Sequence, residues 1–324
     1  MKIKNVLFQI CFMLGLAAWL SFQACAQADA GDQTAVGAFA PVSTRILSDP
    51  LFLPLKGQIY GMTDYTFSDL RTDGFNARTG VKNYYEKDFI DTLSQNFAYG
   101  ITNDVTVRVT EGFSWEREEV MLGNSSSASS VKDTSNPDFG ATYRVLDQSA
   151  YPVDFDLSAS YTPNFNINGG YTASGLQMTS LTGSIGRQMK AVTVQLTGSA
   201  EYYGVTKNKY LDEKYGQSWL YHLGFNTQTR LTDRFSVNCG IDYIFPDTQK
   251  NYSADSDEKD VWGNYIQINT ALNYQIIPNK LVGSITYSYA FFSMKEKYSD
   301  PSFDNENVNG LSGHFAGVRL QYLF

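Results

Sequence analysis

The sequence predicts an all-β fold, a single transmembrane antiparallel up-and-down β-barrel of about twelve strands with short periplasmic turns and long extracellular loops. Apolar and polar residues alternate through much of residues 56–324, and strand side chains point alternately to opposite faces. The connections between these stretches alternate between tight turns and long polar loops. Aromatic residues are 15% of the chain and charged residues only 18%, whereas soluble domains contain roughly 25% charged residues.

Twelve alternating segments follow one another from residue 56. We place them at residues 56–67, 86–101, 104–116, 137–147, 152–163, 176–188, 191–204, 217–231, 234–246, 262–276, 281–294 and 311–324. Five tight connections follow every second segment: Thr102-Asn103, Asp147 to Tyr151, Gln188 to Lys190, Thr232-Asp233 and Pro278-Asn279. The others are long and polar, such as Gly123 to Pro137. An even strand number with turns at one end and loops at the other is typical of transmembrane barrels.

The two faces of each predicted strand differ in polarity. In residues 104–116, Val105 and Val107 share one face, and Thr106 and Arg108 share the other. If the apolar face points toward lipid and the polar face toward a water-filled lumen, both groups of side chains have a suitable environment. Eight charged residues fall on the lumen face: Arg108, Arg144, Asp154, Asp156, Glu201, Arg230, Asp242 and Arg319. They either pair across strands to hold the wall in shape or set the selectivity of a pore.

Three tryptophans lie on the apolar face at the long-loop end of their strands: Trp115, Trp219 and Trp262. Tryptophan prefers the bilayer interface, where its ring is buried and its N–H stays wet. We therefore expect an aromatic girdle at this end.

The last stretch, residues 313–324, has apolar side chains at every second position from Ala316 to Phe324. A terminal strand of this kind resembles the closing strand of bacterial outer-membrane barrels. The resemblance implies that Tyr322 and Phe324 form the signal read by the barrel-assembly machinery. Taken alone, the stretch also fits an edge strand of a soluble β-sandwich.

The N-terminus predicts export. Lys2 and Lys4 precede an apolar run from Val6 to Phe22 that small residues follow, which is typical of a signal peptide over residues 1–28. A lipoprotein modified at Cys25 and an uncleaved anchor remain as alternatives. An exported barrel predicts the outer membrane of a Gram-negative bacterium, with its lipid as a partner.

Residues 29–55 contain little regular pattern, and we interpret them as a periplasmic or lumen segment ahead of the barrel. The stretch Asp49-Pro50-Leu51-Phe52-Leu53-Pro54 places apolar residues between prolines. It is either a lid or docking point, or a short extended linker on the barrel rim, and we expect the rim.

Charge argues against nucleic acid as a partner. Loss of residues 1–28 leaves 23 basic against 33 acidic residues, a net charge of −10. We find no cofactor motif, and two isolated histidines do not make a metal site. His222 faces the lumen by parity and His314 faces outward, so we expect no catalytic residues and no enzyme. Oligomeric state stays open.

Three short stretches carry a family resemblance: Asp49 to Pro54, Tyr99 to Val107, and Phe139 to Asp147. Together they resemble outer-membrane barrels assigned to phenol-degradation (meta-pathway) transport. The resemblance implies passage of small molecules, including aromatic ones, and supplies no catalytic residues. The sequence thus predicts a passive pore or transporter for small solutes. A structural or surface-interaction barrel with a blocked lumen is the alternative, ahead of an outer-membrane hydrolase.

Overall fold

The computed structural model describes residues 45–76, 82–122, 125–164, 177–204, 206–208, 213–215, 217–246, 249–252, 257–262, 264–298 and 306–324. The signal peptide predicted for residues 1–28 lies outside these ranges. The described chain forms these strand segments: β1 (Ile59–Asn76), β2 (Lys82–Gly100), β3 (Val105–Leu122), β4 (Ser125–Thr134), β5 (Asp138–Leu146), β6 (Asp154–Thr162), β7 (Met178–Met189), β8 (Val192–Tyr203), β9 (Thr206–Asn208), β10 (Glu213–Tyr215), β11 (Ser218–Arg230), β12 (Phe235–Pro246), β13 (Gln249–Tyr252), β14 (Asp257–Trp262), β15 (Tyr265–Ile277), β16 (Leu281–Tyr298) and β17 (Glu306–Leu323). Among the described segments, none is a helix long and apolar enough to cross a bilayer.

The strands close into one antiparallel barrel, which confirms the predicted fold class. Twelve staves form the wall, because β4 and β5 are successive parts of one stave on β3, and β9, β10, β13 and β14 form hairpins beyond the wall. The first strand, β1, pairs with both β2 and β17. Closure therefore leaves no edge between the first and last staves.

The five tight turns lie where the sequence placed them, at one end of the barrel, here called the short-turn end. Two of them share one design, in which a threonine hydroxyl caps the turn. Thr102 Oγ1 accepts from the amide of Val105 at 2.9 Å, and Thr232 Oγ1 accepts from that of Phe235 at 3.0 Å. The design explains why Thr-Asn and Thr-Asp pairs occupy these turns.

The strands at the opposite end, the long-loop end, extend further than predicted. The first strand was expected to end at residue 67 and continues to Asn76, and β4 occupies most of the predicted loop Gly123 to Pro137. Alternation of polarity is needed only where one face meets lipid. Beyond the bilayer both faces are wet, so strands pair there without an apolar face, and the serine-rich β4 carries no alternation signal.

The apolar face of the wall points outward. Ile285 and Leu181 are 65% and 61% exposed, and large apolar side chains at matching positions of other staves are exposed as well. So much apolar surface on the outside of a closed sheet is incompatible with water and fits lipid.

Candidate functional site in the barrel lumen

Residues 45–55, here called the lumen segment, lie inside the barrel at the short-turn end. Arg45, Leu47 and Leu51 are almost completely buried. Two consecutive turns compact the segment, with the Asp49 amide bonded to the Ile46 carbonyl at 2.9 Å and the Phe52 amide to the Asp49 carbonyl at 3.0 Å. The expectation of an extended linker on the rim is therefore wrong. Local pattern could not place the segment, because the groups that hold it lie far away in sequence.

Glycines shape the path from the lumen segment to the wall. Gly57 has a φ of 83°, which a side chain would strain, at the turn where the chain leaves the lumen to start β1. At Gly100 the Leu55 carbonyl oxygen lies only 2.1 Å from where a Cβ would stand. The close approach of these two backbones therefore requires glycine at position 100.

A buried ion cluster ties the lumen segment to β5 and β6. Arg45 pairs with Asp154, and both side chains are at most 1% exposed. Arg144 makes a two-pronged contact with Asp156 at 2.8 and 3.0 Å and also donates to the Leu51 carbonyl at 2.6 Å. Two guanidinium groups thus balance two buried carboxylates. One of the guanidinium groups belongs to the lumen segment, so docking of the segment completes the cluster.

Polar side chains from other staves hold the backbone of the lumen segment. Gln195 donates to the Pro50 carbonyl at 3.0 Å, Asn238 donates to the Ser48 carbonyl at 2.9 Å, and Gln321 donates to the Leu47 carbonyl at 3.1 Å. These donors come from β8, β12 and β17. Because the backbone groups are satisfied from several sides of the wall, the segment crosses the lumen rather than following one strand.

Asp49 is the buried acid of the segment. Its carboxylate accepts from the Leu51 amide at 2.8 Å and from the Thr193 hydroxyl at 2.7 Å. Burial raises the pKa of Asp49, although these two hydrogen bonds and the nearby Arg45 and Arg230 act to lower it. The cost of removing the carboxylate from water is therefore larger than its gain from the partners.

Leu51 provides the apolar anchor. Its side chain is 1% exposed and lies against Gly186 of β7, where an added Cβ would stand 2.7 Å from Leu51 Cδ2. A glycine on the lumen face leaves the space that the leucine fills.

A cavity of about 560 Å³ lies between the lumen segment and the wall. About half of its lining residues carry amide or hydroxyl side chains, and the lumen segment adds apolar ones such as Leu53 and Phe52. Two arginines, Arg108 and Arg319, and one acid, Asp49, supply the charge. This volume lies in the range of pockets that hold small molecules.

The two cavity arginines differ in their partners. Arg319 bonds Asp64 across the closing seam, with Nε to Oδ2 at 2.7 Å and Nη2 to Oδ2 at 2.5 Å. Arg108 approaches Asp138 only to 3.5 Å. Its Nε is buried and has no hydrogen-bond partner among the described residues.

The remaining predicted lumen charges lie on the lumen face too. Glu201 Oε1 stands 3.4 Å from His222 Nε2, and Asp242 accepts from Asn269 at 2.5 Å. Arg230 lies two residues after Gln228 on β11, so the two side chains share a face. Gln228 donates to the Ser48 hydroxyl of the lumen segment at 2.9 Å, which identifies this face as the lumen face. All eight side chains therefore occupy the face expected from parity, while their roles stay predictions.

Sequence reasoning missed Arg45, Asp64, Asp138 and an acidic group at the long-loop end of β2 and β3. In that group carboxylate oxygens of Glu86, Asp88 and Glu118 lie within 4.8 Å of one another. Parity along the strands could have found Asp64 and Asp138. Nothing local signals Arg45, because it lies in a segment without periodicity.

Two of the expected girdle residues lie on the outer face, with Trp115 37% and Trp219 40% exposed. Trp262 ends the loop hairpin strand β14, opposite Met294, instead of starting the next stave, and its side chain lies outside the described residues.

The closing residues also face outward, with Tyr322 accepting from Gln95 at 2.6 Å and Phe324 76% exposed. The girdle and the assembly signal remain predictions.

No family model and no curated protein matches this sequence. Among solved structures, an outer-membrane channel from Pseudomonas putida F1 aligns with 90% of this chain and 100% of its own, at a TM-score of 0.55 and 13% identity. A FadL homologue from Pseudomonas aeruginosa aligns with 90% of this chain and 96% of its own, at a TM-score of 0.39 and 12% identity. The outer-membrane protease OmpT from Escherichia coli aligns with 85% of this chain and 99% of its own, at a TM-score of 0.37 and 8% identity. The first likeness shows that the chain has an outer-membrane β-barrel fold, and the other two carry no argument.

Proposed function

We propose that the protein is an outer-membrane channel for small polar solutes, in which the lumen segment narrows the passage at the short-turn end. The observation that carries this proposal is the cavity of about 560 Å³, about half of whose lining residues are amides and hydroxyls, inside a wall whose exterior is apolar. Such a lumen replaces the hydration of a polar solute while the wall excludes lipid. The Pseudomonas putida channel with the same fold is consistent with it.

The proposal includes the cellular setting. Residues 1–28 direct export in a Gram-negative bacterium, and the assembly machinery inserts the barrel with its short turns in the periplasm. Residues 29–44, the first part of the predicted periplasmic or lumen segment, lie outside the described residues. We propose a function without catalysis. His222 and His314 lie on opposite faces of the wall, so they do not form one site.

A barrel with a blocked lumen, whose long loops bind a partner, is the second candidate. The buried pair Arg45–Asp154 favours it, because breaking a buried ion pair is strongly destabilising. A segment held in this way opens the passage rarely unless a ligand or partner releases it.

Permeation separates the two candidates. Folded protein, verified by heat-modifiable gel mobility, is reconstituted into liposomes, and swelling is followed with glycerol and sorbitol. A matched variant lacks residues 45–54. For a channel we expect swelling with wild-type protein and faster swelling with the variant. Swelling with the variant alone identifies a blocked barrel, and no swelling with either folded protein refutes the channel.

A further inference from the structure

We propose that Arg108 forms, with the amide and hydroxyl side chains around it, a binding site for small hydroxylated carboxylates inside the lumen. This inference rests on the proposed function only for the route by which the solute arrives. Binding itself depends on the cavity alone.

Arg108 has an unusually open guanidinium for a residue in this lumen. Arg144 makes hydrogen bonds of 2.6 to 3.0 Å, and Arg319 holds Asp64 at 2.5 Å. Arg108 has only the 3.5 Å contact with Asp138, and its Nε is without a partner among the described residues. Asp138 in turn accepts from the Thr162 hydroxyl at 3.0 Å, so it does not depend on Arg108 alone.

The wall is shaped to hold Arg108 in this position. Gly140 lies directly opposite on β5, and a Cβ there would stand 2.4 Å from Arg108 Nε. The absence of a side chain lets the guanidinium lie across the neighbouring stave. The side chain of Arg108 remains 38% exposed, and it lines the cavity. The terminal nitrogens are thus accessible to a solute.

The charges around the cavity favour an anion at Arg108. Asp49 is already bonded to the Leu51 amide and the Thr193 hydroxyl, and Asp64 is bonded to Arg319. Of the two arginines that line the cavity, Arg108 is therefore the one without a short bond to a carboxylate. A planar guanidinium presents paired N–H groups that match the two oxygens of a carboxylate.

The rest of the lining specifies the body of the ligand. Asparagine, glutamine, threonine and serine make up about half of the lining, and the wall supplies most of them: Asn96, Thr106, Thr142, Asn226, Asn269 and Ser288 are examples. Such groups both donate and accept hydrogen bonds, and hydroxyl groups of a ligand do the same. A carboxylate with several hydroxyls uses this lining, whereas an alkyl carboxylate leaves it unsatisfied.

Calorimetry on the folded full-length protein tests the inference with gluconate, sorbitol and hexanoate. Gluconate and sorbitol share a carbon skeleton and differ by the carboxylate, whereas hexanoate carries the carboxylate without hydroxyls. We expect gluconate to bind at low ionic strength, and sorbitol and hexanoate each to bind at least about tenfold more weakly. Sorbitol loses the charge-assisted hydrogen bonds of the carboxylate, and hexanoate loses the neutral hydrogen bonds of the hydroxyls. Equal binding of sorbitol, or of hexanoate, overturns the proposed ligand class.

Variants locate the site. Arg108→Gln should reduce gluconate affinity about tenfold or more, and Arg108→Lys should recover part of it, because lysine keeps the charge without the fork. Arg319→Gln is the matched control, since it removes one positive charge from the same cavity. An equal loss in both glutamine variants overturns the assignment to Arg108. Gluconate binding without liposome swelling refutes the channel function but supports the binding site. Liposome swelling without gluconate binding supports the channel function but refutes the binding site.

Discussion

Arg45 and Asp154 form an ion pair inside the barrel although 109 positions separate them, and neither side chain is more than 1% exposed. A carboxylate at this depth is costly without a cation. The wall of the barrel therefore carries a charge that is balanced when the lumen segment is docked.

Loss of this pair should release the lumen segment. Arg45→Gln leaves Asp154 and Asp156 with Arg144 as the remaining buried cation of the cluster. We expect docking to weaken by about 3–5 kcal/mol, the usual effect of removing one partner of a buried pair. Faster liposome swelling is the readout. Arg45→Gln combined with Asp154→Asn should restore part of the docking, and a single variant that behaves like wild type contradicts the role of the pair.

Leu51 should contribute the main apolar share of docking. Leu51→Ala removes a completely buried side chain, and such truncations cost about 2–5 kcal/mol. Hydrogen exchange of the Asp49 and Phe52 amides, which are bonded within the segment, reports the loss. The control is Leu53→Ala, because Leu53 is only half-buried. Equal acceleration in both variants would count against a specific anchor at Gly186.

The docked segment should respond to pH through Asp49. Burial raises the pKa of this carboxyl above the ordinary 3.8, so the docked state favours the protonated form. This contribution to docking is complete below pH 3.8 and is lost as the pH rises through the raised value. The time spent in higher-conductance states in planar bilayers should therefore increase with pH. Asp49→Asn should flatten that dependence, and an unchanged dependence in this variant rules out Asp49 as its source.

Phe324 should serve assembly more than stability. Its backbone closes the barrel, with its amide 2.8 Å from the Ile59 carbonyl, while its side chain is 76% exposed. Phe324→Ala keeps the backbone bonds, so we expect normal heat resistance once folded and less folded protein in the membrane fraction. Deletion of Phe324 removes both the backbone hydrogen bonds and the side chain, so both heat resistance and membrane levels should fall. Normal membrane levels of Phe324→Ala would show that the side chain is not read during insertion.

The pattern of alternating residues determined much of the wall. The barrel wall and the lumen face of residues such as Arg108 and Asp242 follow from a period of two, and the tight turns follow from their turn residues; both are local properties of the chain. The same rule fails at the long-loop end, where β1 and β3 continue beyond the predicted limits. Water there accepts polar residues on both faces, so pairing leaves no periodic trace.

Only the tertiary structure decided how the lumen is occupied and which charges remain available. Arg45, Asp49 and Leu51 lie in a stretch without periodicity, and the residues that hold them come from β6, β7 and β8. The difference between Arg108 and Arg319 is likewise invisible in the sequence, because both are arginines on the lumen face. Closure of the barrel places Asp64 directly opposite Arg319, whereas the register of β3 and β5 places Gly140 opposite Arg108 and Asp138 opposite Thr110. Strand alternation assigns a side chain to a face, whereas its partner depends on the register of neighbouring strands.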